Sequence, residues 1–298
     1  MQFSIITPCY KSGRTLMNAY KSLLQSSVKD FEWILVDDCS PDGGETVKLI
    51  KEIQNQAPFT VKSVFLTENY FCSKSVYQGS LIAEGDFVCI LDQDDELTPN
   101  ALSGVSNIIK NFSILENPSI AGVCGRCVDE KGKLIGKKFS EEAFKANEGD
   151  IRFKLKEYCE LLQFTKTQLI REHFVHMKPG FTNGFLWARI SESYDYIFSN
   201  LVVRVYDTYN PESYSNNKSM ILSYPKNKAF NLKGIVNSYA KYAIYNIPYT
   251  LRKLSSMNRY NYIARQKMTT SDFDGVLLKV LFLISKPVGL IKGFLDER

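Results

Sequence analysis

The stretch Gly85-Asp86-Phe87-Val88-Cys89-Ile90-Leu91-Asp92-Gln93-Asp94-Asp95-Glu96-Leu97 decides the reading of this chain. The apolar run Phe87–Leu91 reads as a buried strand. It ends directly in Asp92, Asp94 and Asp95. Carboxylates gathered at the end of a buried strand repel one another and lose solvation. A hard divalent cation relieves both, and oxygen ligands of this kind suit Mg²⁺ or Mn²⁺. Asp92 and Asp94 lie two apart, so a regular strand puts them on one face. The plainer alternative is a polar turn whose Asp94 or Asp95 caps the helix following Pro99.

Working outward, strand and helix signals alternate through the first half. Strands are expected at Phe3–Pro8, Glu32–Asp37, Val61–Leu66 and Phe87–Leu91, and helices at Ser12–Ser26, Glu45–Asn55 and Lys74–Ala83. This alternation predicts an α/β fold with a mostly parallel sheet flanked by helices. Ligands of such sheets bind beyond the carboxyl ends of the strands. Thr7, Asp37, Asp38, Asp92 and Asp94 all fall at those ends. Further on, a helix to about Phe112, a strand at Ile120–Val128 and helix over 151–175 are expected. Asp129–Gly149 reads as polar with a turn at Lys131-Gly132-Lys133. A helix near Phe185–Ile190 and a strand at Leu201–Tyr206 follow.

The bulk numbers support this. The chain has 298 residues, 44% of them hydrophobic, enough for one large domain plus an extension. The seven cysteines are odd in number and scattered, which points to reduced thiols and a cytoplasmic setting. Cys124-Gly125-Arg126-Cys127 lacks the second pair that a zinc site needs. No charged and then apolar leader opens the sequence. The net charge of +5 is uneven: residues 218–298 hold 14 Lys and Arg against 4 Asp and Glu. The expected division is residues 1–225, a catalytic domain, and 226–298, a basic helical extension.

The sequence resembles family 2 glycosyltransferases of the GT-A fold. The likeness is carried by Ser4-Ile5-Ile6-Thr7-Pro8-Cys9-Tyr10-Lys11, by Phe31-Glu32-Trp33-Ile34-Leu35-Val36-Asp37-Asp38-Cys39-Ser40-Pro41-Asp42, and by Ala83 through Leu97. It covers roughly residues 3–100. Beyond that, Phe185-Leu186-Trp187 and Val203-Arg204-Val205-Tyr206 resemble bacterial enzymes that build surface polysaccharides. The resemblance implies an inverting, metal-dependent transfer from a nucleotide-sugar, a UDP-sugar foremost, to a glycan or lipid-linked acceptor. It implies that Thr7 contacts the base by a hydrogen bond with Pro8 beside it, that Tyr10 stacks on the base and that Asp38 accepts one of its N–H groups. Asp92 then faces the ribose, and Asp94 is the principal ligand of Mn²⁺ or Mg²⁺ with Asp92 beside it.

Two departures stand out. The family's Asn-Gly-Gly loop is here Asn69-Tyr70-Phe71-Cys72-Ser73-Lys74, where Lys74 either serves the diphosphate or is a solvated helix residue. The place of the family's catalytic carboxylate is taken by Thr182-Asn183-Gly184, and Asn183 cannot accept a proton. Asp95, Glu192 and Asp195 are the other acceptor-side candidates. The alternative function is a catalytically impaired module that binds sugar nucleotides. His173 and His176 are candidates for phosphate contact or plain solvated residues, and Trp187 for an acceptor sugar or the core.

The tail Val276–Leu295 is apolar, but Lys279, Lys286, Pro287 and Lys292 interrupt it, unlike a membrane span. It is expected to lie in an anionic membrane surface at the inner face of the plasma membrane, or to pack on protein, including a second copy in a homodimer. Its mixed apolar and basic character argues against nucleic acid. Receiver domains and haloacid-type phosphatases are excluded because their acidic residues follow other strands.

Overall fold

The computed structural model describes all residues except 14, 158, 175–177, 209–221 and 297–298, and the side chain of Ser73. The elements are, in order, β1 Phe3–Cys9, α1 Leu16–Leu24, β2 Phe31–Asp37, α2 Glu45–Gln56, β3 Thr60–Phe65, α3 Phe71–Ile82, β4 Phe87–Ile90, β5 Glu96–Leu97 and α4 Ala101–Asn111. Then come β6 Ile120–Val128, β7 Ala143–Ala146, β8 Leu161–Lys166, α5 Thr167–Phe174, α6 Asn183–Ile190 and β9 Asp195–Val205. The chain ends with α7 Pro225–Ser238, α8 Ile247–Ile263 and α9 Val276–Asp296.

Two compact units result. The first comprises Met1–Ala146, Tyr158–Met177 and Tyr194–Asn210 and holds the whole sheet. The second comprises Asn147–Glu157, Lys178–Ser193 and Pro211–Arg298.

In the first unit the strand order is β3-β2-β1-β4-β8-β6-β9-β5, with β7 on β9. The four N-terminal strands are parallel, as their alternation with helices requires. Every residue of β2 and β4 is buried, which suits strands covered on both faces. Register places Cys9 opposite Asp37 and Ile6 opposite Ile90. Backbone bonds carry the alignment past the strands, from Asp38 N–H to Cys9 O (2.9 Å) and Leu91 N–H to Ile6 O (3.0 Å). Three loops thus leave the sheet along one edge. Asp42 accepts the Thr46 N–H (3.1 Å) and hydroxyl (2.6 Å), which fixes the start of α2.

Beyond β4 the sheet is mixed, and here the sequence reading needs correction. Residues 151–175 are not one helix. They form a π-type turn, Asp150–Lys154, then β8, then α5. β8 is antiparallel between β4 and β6, with Phe164 opposite both Cys89 and Val123. Its alternate residues Leu162 and Phe164 fill the core, and pairing with distant strands overrides the local helical spacing. The polar stretch 129–149 holds β7, and β9 begins at Asp195 rather than Leu201.

The second unit is helical. Ala229, Val236, Leu254, Met257, Phe273, Leu278, Leu281 and Phe282 form its core. No helix among the described residues is long and apolar enough to cross a membrane.

Candidate functional site

The loops after β1 and β2 and the start of α3, which follows β3, each contain a non-glycine residue with left-handed backbone: Lys11 (φ 53°), Cys39 (φ 55°) and Phe71 (φ 65°). Such conformations are costly for side-chain-bearing residues and concentrate where function fixes the backbone. Left-handed non-glycine residues also occur at Ser113, Lys156, Tyr224 and Arg265, but Lys11, Cys39 and Phe71 gather at the one edge that also carries the acidic loop, which makes that edge the candidate site. The loops are also tied together. The Lys11 N–H donates to Ser40 Oγ (3.0 Å), and the Ser40 hydroxyl donates to Asp37 (2.5 Å). Asp37 therefore holds the turn. The Asp38 carboxylate accepts the Tyr70 N–H (2.9 Å), joining the second loop to the third. Burial raises the Asp38 carboxyl, and the Tyr70 N–H opposes that rise.

The acidic loop joins the same assembly through Gln93, a residue that sequence reasoning passed over. Its Oε1 accepts the Tyr10 N–H (2.8 Å) and the Ser12 hydroxyl (2.5 Å), and its Nε2 donates to the Tyr10 carbonyl (3.1 Å). Gln93 thus clamps the Tyr10 loop from between Asp92 and Asp94. The only available signal was its position between two carboxylates, where a neutral amide can bridge backbone groups without adding charge.

Thr7 lies at the expected strand end, but its hydroxyl faces inward and accepts the Trp33 indole N–H (2.8 Å). The side chain is fully buried, so a base could meet only its backbone. Pro8 and Tyr10 are partly exposed beside it. The Lys74 ammonium sits 3.1 Å from the centre of the Tyr70 ring, a cation–π contact rather than an extended solvated position.

The three acidic residues separate into different roles. Asp92 and Asp94 are partly exposed beyond β4. Burial raises the Asp92 carboxyl, Arg204 opposes this, and the charge of Asp94 adds to it. Asp95 is 1% exposed and forms a 2.9 Å ion pair with Arg204. Its other oxygen accepts the Asp207 N–H (3.1 Å), and its own N–H closes the turn on Asp92 O (3.1 Å). Burial raises its carboxyl against the pull of Arg204. Both of its oxygens are thus engaged inside the protein, and Asp95 anchors the loop. Arg204 reaches Glu160 (3.4 Å) and Cys127 Sγ (3.1 Å) as well; the sequence singled it out only within Val203–Tyr206 and gave no sign of its pairing with Asp95.

The remaining candidates have other partners or belong to other elements. Asp195 pairs with Lys145 (3.4 Å) at the start of β9. His173 is in α5, and His176 falls outside the described residues. Asn183 opens α6 in the second unit, and the buried Trp187 belongs to the same helix. Glu192 follows it, bonded to Arg189 (3.1 Å) and to the Ser238 hydroxyl (2.5 Å). Cys124 and Cys127 are buried, and none of the seven cysteines forms a disulfide.

No group of three or more His, Cys, Asp or Glu side chains among the described residues is placed to hold a metal. Asp92 and Asp94 offer two hard oxygen donors. That is the usual protein share for Mg²⁺, which takes one or two carboxylates and leaves the rest to phosphate and water.

Several known proteins are similar to this chain in sequence or in fold. The sequence profile of glycosyl transferase family 2 matches residues 4–161. A Campylobacter jejuni protein, GalNAc(5)-diNAcBac-PP-undecaprenol beta-1,3-glucosyltransferase, is 32% identical over 141 residues, 47% of this chain and 42% of that protein. The Staphylococcus aureus poly(ribitol-phosphate) beta-N-acetylglucosaminyltransferase TarP is 31% identical over 143 residues, 47% of this chain and 41% of its own length. The matches thus span less than half of these relatives. Among solved structures, S. aureus TarS 1–349 in complex with UDP-GlcNAc superimposes with a TM-score of 0.64 at 15% identity, covering 100% of this chain and 90% of that one. The Pyrobaculum calidifontis mannosyltransferase PcManGT, in complex with GDP-Man and Mn²⁺, gives 0.55 at 14% identity, covering 100% and 88%. These likenesses show the fold, which is the GT-A arrangement. With a profile match over more than half of its residues, the chain belongs to glycosyl transferase family 2.

Proposed function

We propose that this protein transfers a sugar, with inversion, from a nucleotide-sugar to a glycan or lipid-linked acceptor in surface polysaccharide synthesis. The observation that carries the reading is the Gln93 clamp, which binds an aromatic loop to the Asp92–Asp94 pair at one sheet edge. A nucleoside diphosphate presents the complementary chemistry: a flat base for Tyr10 and a diphosphate beside the carboxylates, while Asp38, 3% exposed and engaged by the Tyr70 N–H, braces the loop rather than facing the base. A UDP-sugar is the favoured donor, since a solved structure of like fold carries UDP-GlcNAc. Mn²⁺ or Mg²⁺ bound by Asp94, with Asp92 beside it, would offset the negative charge developing on the leaving diphosphate.

The protein's own groups do the rest. Tyr10 holds the base, and the loops braced by Asp37, Asp38, Ser40 and Gln93 keep that contact in place before the donor arrives. Lys74 can reach the diphosphate only by leaving the Tyr70 ring. The acceptor hydroxyl approaches opposite the leaving group, which inverts the anomeric centre. A base must lie within hydrogen-bond reach of that hydroxyl. The resemblance puts Asn183 at the family's usual position for it, where an amide cannot accept a proton; either another carboxylate such as Asp95, Glu192 or Asp195 serves, or the second reading holds, a module that binds sugar nucleotides without transferring them. The acceptor is sought at the inner face of the plasma membrane. The C. jejuni relative is named for a PP-undecaprenol-linked acceptor.

Incubation with α-linked nucleotide-sugars, Mn²⁺ and lipid-linked acceptors distinguishes these readings. The expected product is β-linked by proton NMR. An α-linked product would contradict inversion. Nucleotide binding without turnover on any donor would establish the second reading instead.

A further inference from the structure

We propose that one face of α9 inserts into the surface of an anionic lipid bilayer. The helix has three distinct sides. Leu278, Leu281, Phe282, Ser285, Gly289 and Gly293 are buried, and this side packs on α8. The approach is close: a Cβ at Gly289 would lie 2.4 Å from Asn258 Cβ, and one at Gly293 2.7 Å from the Tyr262 ring. Ser285 accepts from the Asn258 amide (3.0 Å), and Arg259 pairs with Asp296. Small residues at intervals of four therefore let α8 lie directly on α9 and fix which side faces outward.

The outward side is apolar. Val276, Ile284 and Ile291 are 77%, 58% and 61% exposed, and Val280, Leu283 and Leu295 continue the stripe. These positions follow the helical period for the full length of the helix. Lys279 and Lys286, seven apart, run along its edge, and Lys292 is exposed on the same helix. No Asp or Glu occurs from Gly275 to Leu295.

Charge selects the occupant. In a second copy docked face to face, lysines would meet lysines along the seam with no carboxylate on α9 between Gly275 and Leu295 to pair them. An anionic headgroup layer supplies that missing charge, and the acyl boundary below it takes the apolar stripe. The helix is not apolar enough to span. It therefore lies in the interface. The inference deepens the proposed function by naming a partner for the second unit, and it is tested by binding rather than by transfer.

The test is co-sedimentation of the protein with phosphatidylcholine vesicles, with and without phosphatidylglycerol. Binding is expected only with phosphatidylglycerol, and it should weaken as salt rises. Ile284→Asp/Ile291→Asp should reduce it by at least about tenfold, because it places charge in the inserting face. Lys279→Gln/Lys286→Gln should reduce it by about fivefold per lysine at low salt. All four side chains lie off the buried side, so unchanged thermal midpoints serve as the folding control. Nucleotide binding in solution by the same variants reports on the donor site separately. Absence of binding to phosphatidylglycerol vesicles at low salt overturns the proposal, as does undiminished binding by both variants. A dimer in solution that Ile284→Asp/Ile291→Asp dissociates, without vesicle binding, would show a self-contact instead and equally overturn it.

Discussion

Asp94→Asn is expected to lower sugar transfer by at least roughly 10²–10³-fold, the usual cost of removing one preorganised electrostatic contact to a developing charge. The substitution keeps the shape of the side chain and removes its charge. Asp94 is partly exposed, so the fold should survive. The loss should appear in two measurements together, transfer rate at saturating donor and Mn²⁺-dependent nucleotide binding. Asp92 would remain, with its carboxyl nearer the ordinary range once the neighbouring charge is gone. Unchanged metal-dependent binding in Asp94→Asn would remove Asp94 from its assigned role.

The second large effect is on stability. Arg204→Met should destabilise the protein by about 3–5 kcal/mol, because it leaves the Asp95 charge buried without its partner. Asp95 is 1% exposed, and burial already raises its carboxyl against the Arg204 charge. The double variant Arg204→Met/Asp95→Leu should recover much of that loss, since two apolar groups of similar size replace two charges. Urea unfolding midpoints of the wild type, both single variants and the double variant give the coupling directly. A loss below about 1 kcal/mol in Arg204→Met would show that the pair carries little charge in the fold. The pair matters to function because Asp95 closes the turn that presents Asp92 and Asp94.

What the sequence disclosed follows the range of the interactions involved. Strands β1, β2 and β4 were legible because short apolar runs ending in Asp or polar loops are what a two-sided parallel sheet demands. The shared direction of those strands places their loops, and the candidate residues on them, along one edge. β8 was not legible. Leu161–Lys166 becomes a strand only because β4 and β6 leave a slot between them, and the pairing joins Phe164 to residues more than forty positions earlier. Asp95 stood among the acceptor-side candidates for the same reason. Nothing local shows that Arg204, 109 positions later, will neutralise it. Thr7 was sound in position, but the indole that takes its hydroxyl lies on the neighbouring strand. In the tail, the apolar residues of α9 were visible as one amphipathic segment. Leu278 and Leu281 turn inward and Ile284 outward, a division that the contacts of Gly289 and Gly293 with α8 determine.

The central claim is that a nucleoside diphosphate and a divalent cation bind together at the β1, β2 and β4 loop edge. Thermal unfolding with UDP-, GDP-, dTDP- and CMP-sugars, each with Mn²⁺ or with EDTA, tests it most directly. At a concentration of about 100 Kd, a bound donor contributes about 2.7 kcal/mol to the folded state, which a melting curve resolves readily. One nucleotide class should raise the midpoint in Mn²⁺ and lose that effect in EDTA. A midpoint unmoved by every nucleotide-sugar, with or without Mn²⁺, would contradict the account.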